Sequence, residues 1–204
     1  MIGRFCVWAR KRQQLLETSI LGILAGMNKP HDHDPLRPHS HDPNPAPPCS
    51  DPAFTLTTAK GQVYTLTPAD LAPLPQSQSQ PLAIVTTSHG TTGPFVFSGV
   101  TLLALLEHYT TLPDQFQVEV VSGDGFGTRL SGDELRQPHG NGPVLLSTHR
   151  DGQRLSREQG LVRLIVPSET DDALRQVKWL AELRVVGPGE RSVTVDDETS
   201  QRQE

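Results

Sequence analysis

Cysteine is nearly missing from this chain: its 204 residues include two, Cys6 and Cys49, both within the first quarter. Beyond them no thiol is available, which excludes a disulfide framework, a cysteine-rich zinc site and a cysteine nucleophile from the part of the chain that patterns as folded. Long apolar runs are lacking too, since none approaches the ~20 residues needed to span a bilayer. The run at residues 20–27 is interrupted by Gly22 and Gly26. Arg4, Arg10, Lys11 and Arg12 precede it like the charged start of an export signal, but Gln13, Gln14 and Glu17 spoil the transition and no small-residue cleavage site follows. The cytoplasm is therefore the expected compartment, with export as the alternative. Nor is there a strong excess of one charge: the net charge of -5 disfavours both a protein that wraps nucleic acid and one that lies on an anionic membrane. The G-x-S-x-G elbow, the P-loop, H-E-x-x-H and G-x-G-x-x-G are all absent, so hydrolase and nucleotide-binding readings have no support.

What is present fits one domain with two tails. Residues 28–50 are rich in proline, histidine and aspartate, with prolines at 30, 35, 38, 43, 45, 47 and 48. Such a stretch supports neither helix nor sheet ladder, so residues 1–50 are expected to be a disordered leader. Met27 opens a segment that reads like a natural beginning, which leaves residues 1–26 open to being a mis-assigned start. The polar, acidic residues 188–204 are expected to be a disordered tail, with the domain at 51–187. In the leader, His31, His33, His39 and His41 alternate with Asp32, Asp34 and Asp42, a pattern that can share a borderline metal ion such as zinc.

Within the domain, residues 54–57 and 62–66 flank Lys60-Gly61 with the period of a hairpin. Thr67-Pro68-Ala69-Asp70 starts a short helix that turns Leu71 and Leu74 inward. A buried strand is expected at residues 82–87, followed by a long loop, a turn at Gly99 and a helix over 101–109 carrying Leu102, Leu103, Leu105 and Leu106. Residues 116–121 alternate as a strand, and Ser131 with Glu134 has capping-box spacing. Residues 144–147 and 161–166 flank an Asp151-Gly152 turn as further strands, and 177–186 is the last. Strands broken by short helices argue for an α+β domain with a mixed β-sheet.

Four segments carry a family resemblance when taken together. They are Phe97-Ser-Gly-Val100 with Leu102, Leu105 and Leu106; Val121-Ser-Gly-Asp-Gly-Phe126; Gly160-Leu-Val-Arg-Leu-Ile-Val-Pro167; and Arg175-Gln-Val-Lys-Trp-Leu180. Their order and spacing resemble the molybdopterin-binding domain of sulfite oxidase-like oxidoreductases. That resemblance implies a molybdenum ion held by a pterin dithiolene and a protein cysteine, and oxygen-atom transfer on a small substrate. It assigns Arg163 and Lys178 to the cofactor's phosphate, and Ser122, Gly123 and Asp124 to loop contacts with the pterin. Arginine suits a bidentate phosphate contact and lysine supplies a mobile point charge. The competing reading gives Arg163 to an ion pair with Glu134 or Glu158, Lys178 to a solvated strand edge, and Asp124-Gly125 to a simple turn.

The sequence departs from the family pattern at the metal ligand. The position of the family's cysteine falls on Thr86 or Thr87, and a threonine hydroxyl is a poor substitute for thiolate at molybdenum. Phe97 stands where a tryptophan is usual, and Gln159 where a histidine is often found. His89, on the loop where the family builds its site, is a candidate substrate or metal contact, or else a loop histidine capping the strand end. The chain is also expected to be too short for the family's electron-transfer or dimerisation segments. The expected partner is a small-molecule cofactor or anion, neither nucleic acid nor membrane, and no redox partner is indicated. Three functions follow: a molybdopterin oxidoreductase domain, a noncatalytic binding module on the same fold, and a metal-scavenging leader.

Overall fold

Residues 36, 48, 50–86, 90–140, 142–169 and 173–188 are described by the computed structural model of the chain, all within the unit spanning residues 34–204. The leader histidines His31, His33, His39 and His41, both cysteines, and residues 189–204 lie outside the described residues. So do Thr87 and His89.

Alternating apolar and small polar residues build β1 (Phe54–Thr57) and β2 (Val63–Leu66), antiparallel with Phe54 opposite Leu66. Gly61 turns the chain between them at φ 78°, which glycine adopts without a Cβ clash. Next comes α1 (Pro68–Leu71), where the Asp70 carboxylate accepts from the Thr67 backbone N–H at 2.8 Å and from its hydroxyl at 2.7 Å. Leu71 and Leu74 are buried, as expected.

Residues 76–101 contain four strands: β3 (Gln76–Gln78), β4 (Leu82–Thr86), β5 (Gly90–Phe95) and β6 (Phe97–Thr101). β4 is the expected strand, and the expected long loop after it instead carries β5 and the start of β6. Gly90-Thr-Thr-Gly-Pro94 has no apolar alternation, and it becomes a strand because β4 pairs with it, Thr86 opposite Gly90 and Leu82 opposite Phe95. The expected turn at Gly99 is also corrected. Gly99 lies inside β6 opposite Ser147, at a register shift, where a Cβ would fall 2.1 Å from the Leu146 carbonyl oxygen. Glycine is needed there for close backbone approach rather than for turning.

Thr101 caps α2 (Leu102–Tyr109) by accepting the Ala104 N–H at 3.1 Å. The helix buries Leu102, Leu105 and Leu106 completely, each contributing roughly 1.5–3 kcal/mol. β7 (Gln117–Ser122) and β8 (Gly127–Ser131) form a second hairpin leading to α3 (Gly132–Arg136). Ser131 accepts the Glu134 N–H at 3.1 Å, but the reciprocal half of the expected capping box is not made, because the Glu134 carboxylate takes Arg175 at 2.8 Å.

The expected strands at 144–147 and 161–166 correspond to β9 (Leu145–Arg150) and β11 (Arg163–Ile165), which pair antiparallel. The Asp151-Gly152 turn, at φ 52° and 76°, instead joins β9 to the short β10 (Gln153–Arg154). The last strand, β12 (Leu180–Val186), starts later than residue 177 because Trp179 adopts φ 48°.

A five-stranded sheet runs β2-β1-β12-β7-β8, with β1 and β12 parallel and its other pairs antiparallel. A second sheet runs β10-β9-β6-β3, with β11 also on β9, and β4 with β5 make a third. The α+β class with a mixed sheet is therefore seen. The main core joins Leu56, Val118, Val120 and Leu183 of the first sheet to Val100, Leu146 and Leu164 of the second and to the α2 leucines. A smaller core of Leu82, Phe97, Leu145 and Ile165, flanked by Ile84 and Phe95, joins the second sheet to the β4–β5 pair. Among the described residues no helix is long and apolar enough to cross a membrane.

Candidate functional site

The smaller core carries a charge. Arg163, at the start of β11, is 6% exposed, and its guanidinium lies 5.4 Å from the centroid of the fully buried Phe97 ring. Its Nε is buried without a hydrogen-bond partner. Neither proposed ion-pair partner meets it: Glu134 binds Arg175, and Glu158 accepts the Ser156 hydroxyl at 2.8 Å. Burial pushes the Arg163 guanidinium down to about 10, and the nearby Arg150 charge adds to the effect. At neutral pH Arg163 is still a cation, and a buried cation without a counter-ion costs several kcal/mol.

Backbone geometry then brings a second cation alongside. Gly160 (φ 106°) and Leu161 (φ 56°) precede β11, and Trp179 (φ 48°) precedes β12. The Trp179 N–H donates to the Gly160 carbonyl at 2.9 Å and the Leu180 N–H to the Val162 carbonyl at 3.0 Å. A Cβ on Gly160 would meet both Arg163 Cγ and Lys178 Cβ at 3.0 Å, so glycine lets the two cation-bearing chains converge. Non-glycine residues at positive φ are uncommon, and their clustering here is typical of a site whose geometry is imposed by its surroundings. The Lys178 ammonium is pushed below its ordinary value, first by desolvation and then by Arg163, with Asp124 opposing. The Lys178 side chain nonetheless reaches solvent, which screens the effect.

The loop between β7 and β8 closes on itself. Ser122 Oγ donates to Asp124 Oδ1 at 2.5 Å, the Phe126 N–H reaches the same oxygen at 3.2 Å, and Gly125 turns at φ 93°. The Gly123 N–H donates to the Trp179 carbonyl at 2.7 Å. Ser122, Gly123 and Asp124 are thus committed to a turn, yet that turn is tied to the Lys178-Trp179 segment and holds the Asp124 charge within reach of Lys178. At the same rim Pro48 accepts two hydrogen bonds from the Arg157 guanidinium, at 3.0 and 2.6 Å.

The structure therefore brings Arg163, Lys178 and the Ser122–Asp124 turn together. Thr86 ends β4, and only its backbone place is described. Gln159, at the position where a histidine is often found, accepts the Ser156 N–H at 2.9 Å and closes its own loop. Sequence reasoning missed Arg150, whose guanidinium stacks 4.2 Å from the Phe95 ring centroid. The available signal was the Asp151-Gly152 turn, since carrying the preceding strand up to that turn places Arg150 at its end, opposite Phe97.

Residues 64–192 match the model of the oxidoreductase molybdopterin-binding domain family, and the chain belongs to that family. The fold is similar to that of the sulfane dehydrogenase SoxCD from Paracoccus pantotrophus, with a TM-score of 0.55 at 19% sequence identity. The match covers 67% of this chain and 38% of that one, so this chain corresponds to well under half of the SoxCD chain. No curated protein matches the sequence.

The donor set fits one part of the family's cofactor and not another. A buried guanidinium with an orphaned Nε beside a lysine fits a phosphate group. Among the described residues the metal's protein ligand has no counterpart: none of them is a cysteine, and no three His, Asp or Glu side chains converge.

Proposed function

We propose that this domain holds the anionic end of a molybdopterin cofactor at the neighbouring cations Arg163 and Lys178. The observation that carries the reading is Arg163, a buried cation without a carboxylate partner among the described residues. A phosphate there would supply the missing acceptor and neutralise a charge that is otherwise unfavourable to bury. Lys178 would add a solvated charge, and Asp124 would orient it. When bound, the cofactor supplies oxygen-atom transfer on a small substrate. This chain's own part is to bind and orient the pterin.

A second reading is favoured by a specific observation. With threonine at 86 and 87, the strand end carries no soft ligand, which supports a noncatalytic module that keeps the fold and the anion site.

The test is molybdenum analysis of full-length protein from its native host, with fluorescence detection of released, oxidised pterin, for wild type and Arg163→Met. Pterin in the wild type and none in Arg163→Met is the expected result. Molybdenum together with pterin would support oxygen-atom transfer, and pterin alone the noncatalytic module. Wild-type protein without pterin would overturn the proposal.

A further inference from the structure

We propose that Arg150 is a second anion-binding arm, forming with Arg163 a two-guanidinium clamp for a dianionic phosphate group on the Phe95–Phe97 pair. The inference rests on the reading above but concerns a residue outside the motifs that carry the family resemblance.

The two aromatic rings make an edge-to-face pair with centroids 6.1 Å apart. Each carries one guanidinium, Arg150 over Phe95 at 4.2 Å and Arg163 over Phe97 at 5.4 Å. An aromatic face holds a guanidinium in place without using its N–H groups, so stacking leaves the donors of both arginines directed elsewhere. The Arg150 guanidinium makes no hydrogen bond to protein among the described residues. Its one carboxylate neighbour, Asp151, stands 3.8 Å from Nε with a side chain 50% exposed, and the other Asp151 oxygen is taken by the Val96 N–H at 2.8 Å.

Two like charges close to one another repel, and among the described residues no carboxylate pairs with Arg163. The positive charge of Arg150 is felt at Arg163. Such an arrangement destabilises the empty protein and favours a ligand with two negative charges, which can accept from both forks at once. The two arms differ in kind. Arg163 is fixed and buried, whereas Arg150 stands at a strand end next to a turn, with a side chain 28% exposed. Arg150 is therefore the outer arm that closes on the ligand after Arg163 has received it.

The test uses full-length protein and inorganic phosphate as the probe. Its dissociation constant is measured by titration at constant ionic strength against chloride, for wild type, Arg150→Met, Arg150→Lys, Arg163→Met and the control Arg154→Met. Arg150→Met is expected to weaken phosphate binding by roughly tenfold or more, the loss of one charge-assisted contact. Arg150→Lys should recover part of it, and Arg154→Met should bind like the wild type. Without phosphate, Arg150→Met should be no less stable than wild type, because it removes repulsion, and this separates a binding role from a structural one. If Arg163→Met loses phosphate while Arg150→Met binds as tightly as wild type, the clamp is wrong and the Arg163 site stands. Wild-type protein that does not bind phosphate, or binding indifferent to both arginines, overturns the clamp and the site together.

Discussion

A Cβ on Gly99 would lie 2.1 Å from the Leu146 carbonyl oxygen and 2.9 Å from the Ser147 Cα, both backbone atoms that cannot step aside without moving β9. Gly99→Ala is therefore expected to destabilise the protein by about 1–3 kcal/mol or more, as overpacking of a close contact does. A lower denaturant midpoint with an unchanged slope would agree, and an unaltered midpoint would show that β6 and β9 do not approach so closely. The same residue marks a boundary on what sequence reveals. A glycine announces freedom of φ, and a turn is the local use of that freedom, whereas close approach depends on a strand nearly fifty positions away. The motifs named Arg163 and Lys178, which the fold brings close together. The Asp151-Gly152 turn places Arg150 at the end of a strand, but its position over Phe95 depends on the register of β6 against β9 and on a ring from β5.

Short elements stand or fall on their end groups, and α1 is the clearest instance. Its Asp70 carboxyl is held below the ordinary value of 3.8, chiefly by the hydrogen bonds from the Thr67 side chain and then its backbone N–H. A carboxyl whose folded pKa is depressed stabilises the fold above its unfolded pKa and loses that contribution as pH falls through the folded value. Asp70→Asn should therefore lower thermal stability at neutral pH, and the gap from wild type should close as pH falls below 3.8. A gap that is constant from neutral to acid pH would contradict the carboxylate's role. Elements with such local signals, the β1–β2 hairpin, α1 and α2, were readable in the sequence. β5 was not, since its Thr, Gly and Pro residues carry no pattern of their own and only the ladder with β4 makes them a strand. β3, with two glutamines and a serine, is a strand for the same reason, through β6.

At the scale of the molecule, the first and last strands of the domain are paired parallel, with Thr55 opposite Glu182, and β12 sits at the centre of its sheet. That sheet cannot be completed before the last strand arrives. The main core then draws side chains from both larger sheets, Leu183 from one and Leu146 from the other, so neither sheet has an apolar face of its own to bury. Unfolding should accordingly be one cooperative event that includes the cation pair, since Arg163 lies on β11 beside β9 and Lys178 just precedes β12. Leu183→Ala and Leu146→Ala, both in fully buried positions, are each expected to cost about 2–5 kcal/mol. Each should lower a single transition seen by far-ultraviolet circular dichroism. Amide exchange is the sharper readout: in either variant the slowest protons of β7 and of β9 should lose protection by the same amount, since both exchange through the same global opening. If Leu183→Ala loosened β7 and left β9 protected, the two sheets would be separate folding units, and the cation pair would lie at a seam between them rather than in one body.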